Sequence, residues 1–317
     1  MSRALLIACQ YKNFKKSELF GCFNDADAFI IRLKKIDPLI KITYMRDDLH
    51  EKNILFPNIQ NIIRELLNLS KYPEKKLYFY YSGHGTTIID TNDDEKTILT
   101  TTNGSQINKL NGINGDSCIV CYSNKNLILL RDDDFYFYFS YLRADQTLIA
   151  FSDSCNSGTL FDLCYVNVGN YTKKFTSYDI SGLLLDISNN CIIVNSYYPN
   201  KVNKIKANIL LISGTRDKDL SYEVYRDKQY CGIFTYNLCK ILDYGVNNMS
   251  LRTFYYLLMS SINSNQQIPV LTFSQNLNID NYKMLLLEYI YKKPLQITKF
   301  GKAYFIGKDN IRKYYKK

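Results

Sequence analysis

Histidine is scarce in this chain of 317 residues, and tryptophan is absent. Only His50 and His84 occur, so a catalytic or metal-binding role for histidine can fall on just two positions. His50 lies in the charged string RDDLHEKN, typical of a solvated helix start. His84 instead follows an apolar run and stands between two glycines.

The chain also lacks any run of about 18 uncharged apolar residues, which excludes a transmembrane helix. Its first residues turn polar and basic after a short apolar stretch, too short for a secretory signal. These absences predict an intracellular, cytoplasmic protein with no membrane partner.

A disulfide framework is not expected, because the nine cysteines are odd in number and irregularly spaced. Cys118 and Cys121 form a lone CxxC pair. A zinc site there would need a second pair or a spare histidine, and neither is present. We interpret this pair as part of a buried strand.

The composition is that of a globular protein, with 46% hydrophobic and 22% charged residues. The formal net charge of +10 raises the question of a nucleic-acid partner. The lysines are scattered along the chain rather than concentrated, which favours a solvated basic surface. We expect no nucleic-acid partner.

Apolar runs rich in β-forming residues alternate with longer amphipathic segments, as in βα units around a mostly parallel sheet. We therefore predict a single α/β domain over residues 1–317. The predicted strands are residues 4–9, 42–45, 77–81, 127–130, 148–151, 191–195, 210–213 and 269–274. The predicted helices are residues 24–35, 51–69, 133–142, 232–242 and 251–260, with one more beginning at Thr159. Residues 86–126 are predicted to be polar and rich in turns, and residues 167–190 to form an exposed loop or cleavage segment.

Two of the predicted central strands end in polar loops, one carrying His84 and the other Cys155. In open α/β sheets the ligand crevice lies at the carboxyl ends of the strands. A cysteine nucleophile needs a neighbouring base that removes its proton and later returns it to the leaving group. From these residues alone the alternatives stay open: Cys155 is a nucleophile, a metal ligand or an idle thiol.

Several segments together resemble the metacaspases, cysteine peptidases of the caspase-like clan. YSGHG at residues 81–85 and DSCNSG at residues 153–158 are similar to the two catalytic motifs of that family. Further similar segments are residues 4–12, 19–26, 212–217 and 232–235.

This resemblance implies a caspase-like three-layer α/β/α sandwich around a mostly parallel central sheet. Residues 1–166 would form a large-subunit-like region and residues 190–317 a small-subunit-like one. His84 would be the general acid and base, and Cys155 the nucleophile. The backbone N–H groups of Gly85 and Cys155 would stabilise the oxyanion.

The resemblance also implies an acidic primary pocket and cleavage after Arg or Lys. Asp25 and Asp153 would pair with the cation of a protein or peptide substrate, and Cys22 and Ser82 would line the same pocket. For Asp25 alone, the simpler interpretation is a helix N-terminal acid that complements the helix dipole, and the two interpretations are compatible.

Calcium activation is a third implication, with Asp116, Asp132, Asp133 and Asp162 as the ligands. Hard carboxylate oxygens are what Ca²⁺ requires. Asp116 lies in a divergent stretch, and without the resemblance the acid triplet after Arg131 would be interpreted as a helix start.

The chain departs from the family pattern at Asn156, where histidine is common, and at Thr215, where a cysteine is lost. We expect a type I-like monomer without a prodomain. Two alternatives are weighed against the peptidase with Arg or Lys specificity: a catalytically silent scaffold that binds partners, and a peptidase that cuts after Asp. The first leaves the joint presence of His84, Cys155, Asp25 and Asp153 unexplained, and the second would need a basic pocket.

Overall fold

The computed structural model of the chain describes most of the first 275 residues. The described residues are 1–48, 55–89, 97–100, 106–107, 115–123, 126–163, 165–167, 193–196, 204–217, 219–245, 249–262, 267–275 and 282.

Fifteen strands and five α-helices lie in these ranges. The strands are β1 (Arg3–Ala8), β2 (Lys41–Arg46), β3 (Lys76–Ser82), β4 (Gly85–Ile89), β5 (Thr97–Thr100), β6 (Gln106–Ile107), β7 (Gly115–Ser123), β8 (Asn126–Arg131), β9 (Thr147–Asp153), β10 (Tyr165–Asn167), β11 (Ile193–Ser196), β12 (Asn208–Ser213), β13 (Glu223–Arg226), β14 (Gln229–Gly232) and β15 (Val270–Phe273). The helices are α1 (Cys22–Ile36), α2 (Ile59–Lys71), α3 (Asp132–Phe139), α4 (Ile233–Tyr244) and α5 (Leu251–Ser261).

A central sheet organises the fold, in the strand order β2-β1-β3-β9-β12-β15-β10-β11-β5-β6. Its first five strands are mutually parallel, and β15 joins β12 in antiparallel pairing. Two smaller antiparallel sheets, β4-β7-β8 and the hairpin β13-β14, flank it. The carboxyl ends of β3 and β9 therefore lie side by side at one edge.

The central strands are apolar without alternation because both faces of the sheet are covered. On β1, Leu6 packs in a core with residues of α1, α4 and α5, whereas Ile7 packs in a second core with residues of α2 and α3. Helices thus cover both faces, and the predicted three-layer α/β/α class is confirmed.

Several predicted boundaries were wrong. Helix α2 begins at Ile59 rather than at residue 51, because Pro57 disfavours helix at the residue before it and Asn58 caps the helix by accepting the N–H of Asn61 at 2.8 Å. Residues 51–54 lie outside the described part of the chain. The segment predicted as loop, residues 86–126, contains β4 and β7.

The predicted helix from Thr159 is also wrong for the described residues 159–163, of which 159–161 form a turn and 162–163 have no regular secondary structure. Asp162 has φ 49° there, a left-handed backbone conformation that ends any right-handed helix. The CxxC pair, in contrast, is confirmed as strand core, since Cys118 and Cys121 are both buried in β7.

Of the predicted exposed loop, residues 167–190, only Asn167 is described, and it is the last residue of β10. Among the helices that are described, none has the length and apolar character needed to cross a bilayer.

Candidate active site

The two polar motifs meet because β3 and β9 pair in parallel register, with Ser82 opposite Asp153. Gly83 N–H donates to the Asp153 carbonyl at 3.4 Å, so the contact continues beyond the strands. At Gly85 a Cβ atom would overlap the carbonyl oxygen of Cys155. Only glycine lets the two loops approach this closely, and the structure thereby brings together the backbones that carry His84 and Cys155.

The His84 imidazole is fixed by a backbone carbonyl. Its Nε2 lies 2.7 Å from the carbonyl oxygen of Ser17, which can only accept, so Nε2 carries the proton. In the neutral ring Nδ1 is then the basic nitrogen. No hydrogen bond between described residues joins this ring to Cys155, so proton transfer needs a further approach of the two side chains.

Tyr11 contacts both the ring and the backbone of His84. The two rings stack with centroids 4.8 Å apart, and the His84 backbone N–H donates to Tyr11 Oη at 3.0 Å. Tyr11 is fully buried with φ 56°, an uncommon conformation for a bulky residue. Asp47 holds that conformation by accepting the Tyr11 N–H at 2.6 Å. Sequence patterns did not reveal this support.

The Cys155 thiol is partly exposed, and its Sγ accepts the Ser221 N–H at 3.2 Å. Burial raises the pKa of the thiol, Asp153 raises it further, and the Ser221 N–H opposes them. The thiol is therefore neutral at rest and requires a base to become nucleophilic.

The segment after β12 positions the loop of Cys155. Asp219 accepts the Asn156 N–H through its carbonyl at 3.2 Å, and Asp217 Oδ1 accepts the Thr159 N–H at 2.7 Å. Thr215 Oγ1 donates to the Ser154 carbonyl at 2.9 Å. These contacts tie the loop of Cys155 to the region that the family resemblance predicts to be small-subunit-like.

Asp25 and Asp153 are brought together, 2% and 5% exposed, beside this loop. Asp25 accepts the Gly232 N–H at 2.9 Å and the Ser82 hydroxyl at 3.2 Å. Asp153 accepts the Ser221 hydroxyl at 2.6 Å and both the N–H and hydroxyl of Thr235, at 2.9 and 2.7 Å.

A third acid, Glu223, adjoins the pair and was not predicted. Its Oε1 accepts the Gly21 N–H at 2.6 Å and lies 3.9 Å from Cys22 Sγ. Burial raises the pKa of Asp25, with Asp153 and then Glu223 as further causes, and burial likewise raises that of Asp153. Within the described part of the chain, no Lys or Arg forms a salt bridge with these three acids. We call Asp25, Asp153, Glu223, Cys22 and Ser82 the acid pocket.

The predicted calcium ligands lie in a second acidic region, where the chain supplies its own cation. Arg131 Nη1 is 3.4 Å from Asp116 and 3.9 Å from Asp133, and its Nε is 3.9 Å from Asp134. Asp132 accepts the N–H groups of Ser117 and Asp133, at 2.5 and 2.9 Å. We call these residues the Arg131 cluster.

Asp162 is buried and left-handed, and its charge adds to the effect of burial that raises the pKa of Asp217 to about 7. Over the described residues, no three His, Cys, Asp or Glu side chains converge as a metal site.

A thiol and an imidazole at adjoining strand ends, beside buried acids, define the site of a cysteine hydrolase. Residues 2–164, about half of the chain, match the sequence profile of the family described as "Metacaspase, peptidase C14 domain". The chain belongs to the metacaspase family of cysteine peptidases, and its caspase-like fold class is confirmed.

Metacaspase-6 of Arabidopsis thaliana is similar, with 32% identity over 181 residues that cover 54% of this chain and 42% of the relative. Metacaspase-1 of Plasmodium falciparum is 27% identical over 303 residues, covering 92% of this chain and 42% of that protein. The chain thus spans about two fifths of the length of these relatives.

Among solved structures, protein GSU0716 from Geobacter sulfurreducens aligns with a TM-score of 0.56 at 20% identity. The alignment covers 90% of this chain and 99% of that one, and it shows a shared fold.

Proposed function

We propose that the protein is a cysteine endopeptidase that cleaves polypeptides after Arg or Lys through an acyl-enzyme. One observation carries the specificity: Asp25 and Asp153 are buried together beside Cys155 without a salt bridge to any described Lys or Arg. Buried carboxylates of like charge are costly, and a substrate cation would relieve that cost. The same acids disfavour cleavage after Asp.

In the first step His84 Nδ1 removes the proton of Cys155, and Sγ attacks the scissile carbonyl. The Ser17 carbonyl stabilises the imidazolium through Nε2–H. The N–H groups of Gly85 and Cys155 stabilise the negative oxygen, and collapse of the tetrahedral intermediate releases the amine, protonated by His84. Water, deprotonated by His84, then hydrolyses the thioester and regenerates the thiol.

Calcium binding, which the resemblance implies, would have to compete with the ion pairs of the Arg131 cluster. Arg131 Nη1 lies 3.4 Å from Asp116 and 3.9 Å from Asp133, and Asp132 accepts two backbone N–H groups. Direct titration with Ca²⁺ tests this binding.

Fluorogenic peptides ending in Arg, Lys or Asp test the proposal, assayed with and without Ca²⁺. We expect cleavage of the Arg and Lys peptides by the wild type and none by Cys155→Ala, with circular dichroism to verify that both are folded. Intact Arg and Lys peptides under every condition would reject the proposed activity. Cleavage of the Asp peptide instead would reject the specificity.

A further inference from the structure

One face of the β13-β14 hairpin runs outward from the acid pocket. Cross-strand pairing sets Glu223 opposite Gly232 and Tyr225 opposite Tyr230, and side chains two apart on a strand share a face. At the inner end Gly232 donates to Asp25, and a Cβ on it would overlap the Asp153 carboxylate. The inner end of this face therefore borders the pocket.

The outer end is aromatic and open to solvent. Tyr225 is 64% exposed and Tyr230 45%, with ring centroids 5.2 Å apart. Phe20, 52% exposed, lies 5.4 Å from the Tyr230 ring. We call these three residues the aromatic ledge. Single exposed aromatics are normal, but three joined through the central Tyr230 ring form a patch that is a candidate binding surface.

The ledge is joined to the pocket by hydrogen bonds rather than by proximity alone. Glu223, a pocket residue, accepts the N–H of Phe20 at 3.0 Å. Asn24, on the helix that carries Asp25, donates to the Tyr230 carbonyl at 2.8 Å. The hairpin turns through Asp227 and Lys228, with φ 51° and 67°, the backbone of a tight two-residue turn. Pocket and ledge are thus parts of one fixed surface.

We propose that the aromatic ledge binds an aromatic or large aliphatic side chain of the substrate polypeptide, within a few residues of the Arg or Lys held in the acid pocket. The occupant follows from continuity, because an extended chain advances about 3.3 Å per residue and so passes from pocket to ledge within a few residues. This inference rests on the proposed peptidase function and adds a second determinant of substrate choice.

Binding to the Cys155→Ala protein tests the inference without any requirement for turnover. The probes are fluorescent peptides with one Arg and either Phe or Ser at the neighbouring positions, measured by anisotropy. We expect about tenfold tighter binding of the Phe peptides, the affinity ratio that corresponds to about 1.4 kcal/mol. The preference should disappear when Tyr225→Ser and Tyr230→Ser are added.

Tyr256→Ser, on α5 and 46% exposed in the wild type, is the matched control and should keep the preference. Equal affinities for Phe and Ser peptides, or a preference that survives the loss of both tyrosines, would overturn the proposed role of the aromatic ledge. Binding of the Arg peptides would in either case leave the proposed function standing. Failure of every Arg peptide to bind would reject the pocket and the ledge together.

Discussion

The two acidic regions of the molecule differ in what stabilises their carboxylates. In the acid pocket, Asp25 and Asp153 are satisfied by hydroxyls and backbone N–H groups, and no described residue supplies a positive charge. In the Arg131 cluster, a guanidinium from the chain itself lies among Asp116, Asp133 and Asp134.

The contrast separates acids that form no salt bridge with a described Lys or Arg from acids that are paired with Arg131. Hydrogen bonds to a carboxylate lower the cost of burying its charge but leave the attraction for a cation intact. A guanidinium from the chain itself, such as that of Arg131, reduces both the cost of burying the carboxylate and its attraction for another cation. By this criterion the acid pocket is the better candidate for a ligand, in line with the sequence, where Asp116 of the other group lies in a divergent stretch.

The largest expected effect is on the pocket. Asp153→Asn should lower kcat/KM for Arg peptides by about 100-fold, since loss of one partner of a buried charge pair costs about 2–5 kcal/mol. The measurement is steady-state cleavage of Arg and uncharged peptides. Asp145→Asn, at an exposed position before the same strand, is the control and should be neutral. If Asp153→Asn cleaves Arg peptides normally, the pocket is not the specificity site.

The second expected effect is on calcium. If Arg131 neutralises its cluster, Arg131→Gln should raise Ca²⁺ affinity about tenfold, because it removes a positive charge that lies about 4 Å from the carboxylates. The effect is no larger because the cluster is partly solvated and screening reduces the Coulomb energy. Isothermal titration with Ca²⁺ measures this directly. Arg143→Gln is the control, since Arg143 is similarly exposed and pairs with Asp145 instead. Identical isotherms for wild type and Arg131→Gln would remove the distinction between the two regions.

The smallest expected effect is on stability. Burial, and then Asp153, raises the pKa of Asp25. Its contribution to stability is therefore present in acid, where the group is protonated in both states, and is lost as the pH rises through its folded-state pKa. At pH 8, Asp25→Asn should be more stable than wild type by about 1 kcal/mol, and the gain should vanish below about pH 4, near the ordinary pKa of aspartate.

Urea unfolding across that pH range provides the measurement. Asp37→Asn should do the opposite, because hydrogen bonds from Ser2 and Leu39 outweigh burial and lower the pKa of Asp37. A destabilised Asp25→Asn at pH 8 would contradict a net cost of burying the Asp25 charge.

The features that could be predicted from the sequence are those that local residue patterns determine. The unbroken apolar runs of β3 and β9 predicted central strands, and the polar residues after them predicted where His84 and Cys155 would meet. Glu223 could not be found this way, since its partner Gly21 is 202 residues distant and a half-buried glutamate has no local signature. Ser221 was missed for a similar reason, because its role depends on a loop crossing the end of β9.

The turns after Cys155 were not predicted from the sequence, for a different reason. Asn156 and Asp162 adopt left-handed conformations that their residue types permit but do not require. Contacts with Asp217 and Asp219 hold Asn156 and Thr159 in this arrangement. The local sequence does not reveal contacts with residues so far along the chain. The helix predicted from Thr159 was therefore wrong, although the motif before it was correctly located.

Ser221 binds both halves of the site at once, the thiol through its N–H and Asp153 through its hydroxyl. A guanidinium that binds Asp153 in place of the Ser221 hydroxyl would also weaken the hydrogen bond from the Ser221 N–H to the Cys155 sulfur. The alkylation rate of Cys155 by iodoacetamide is then a reporter of pocket occupancy, readable with a small guanidinium compound that contains no peptide bond to cut.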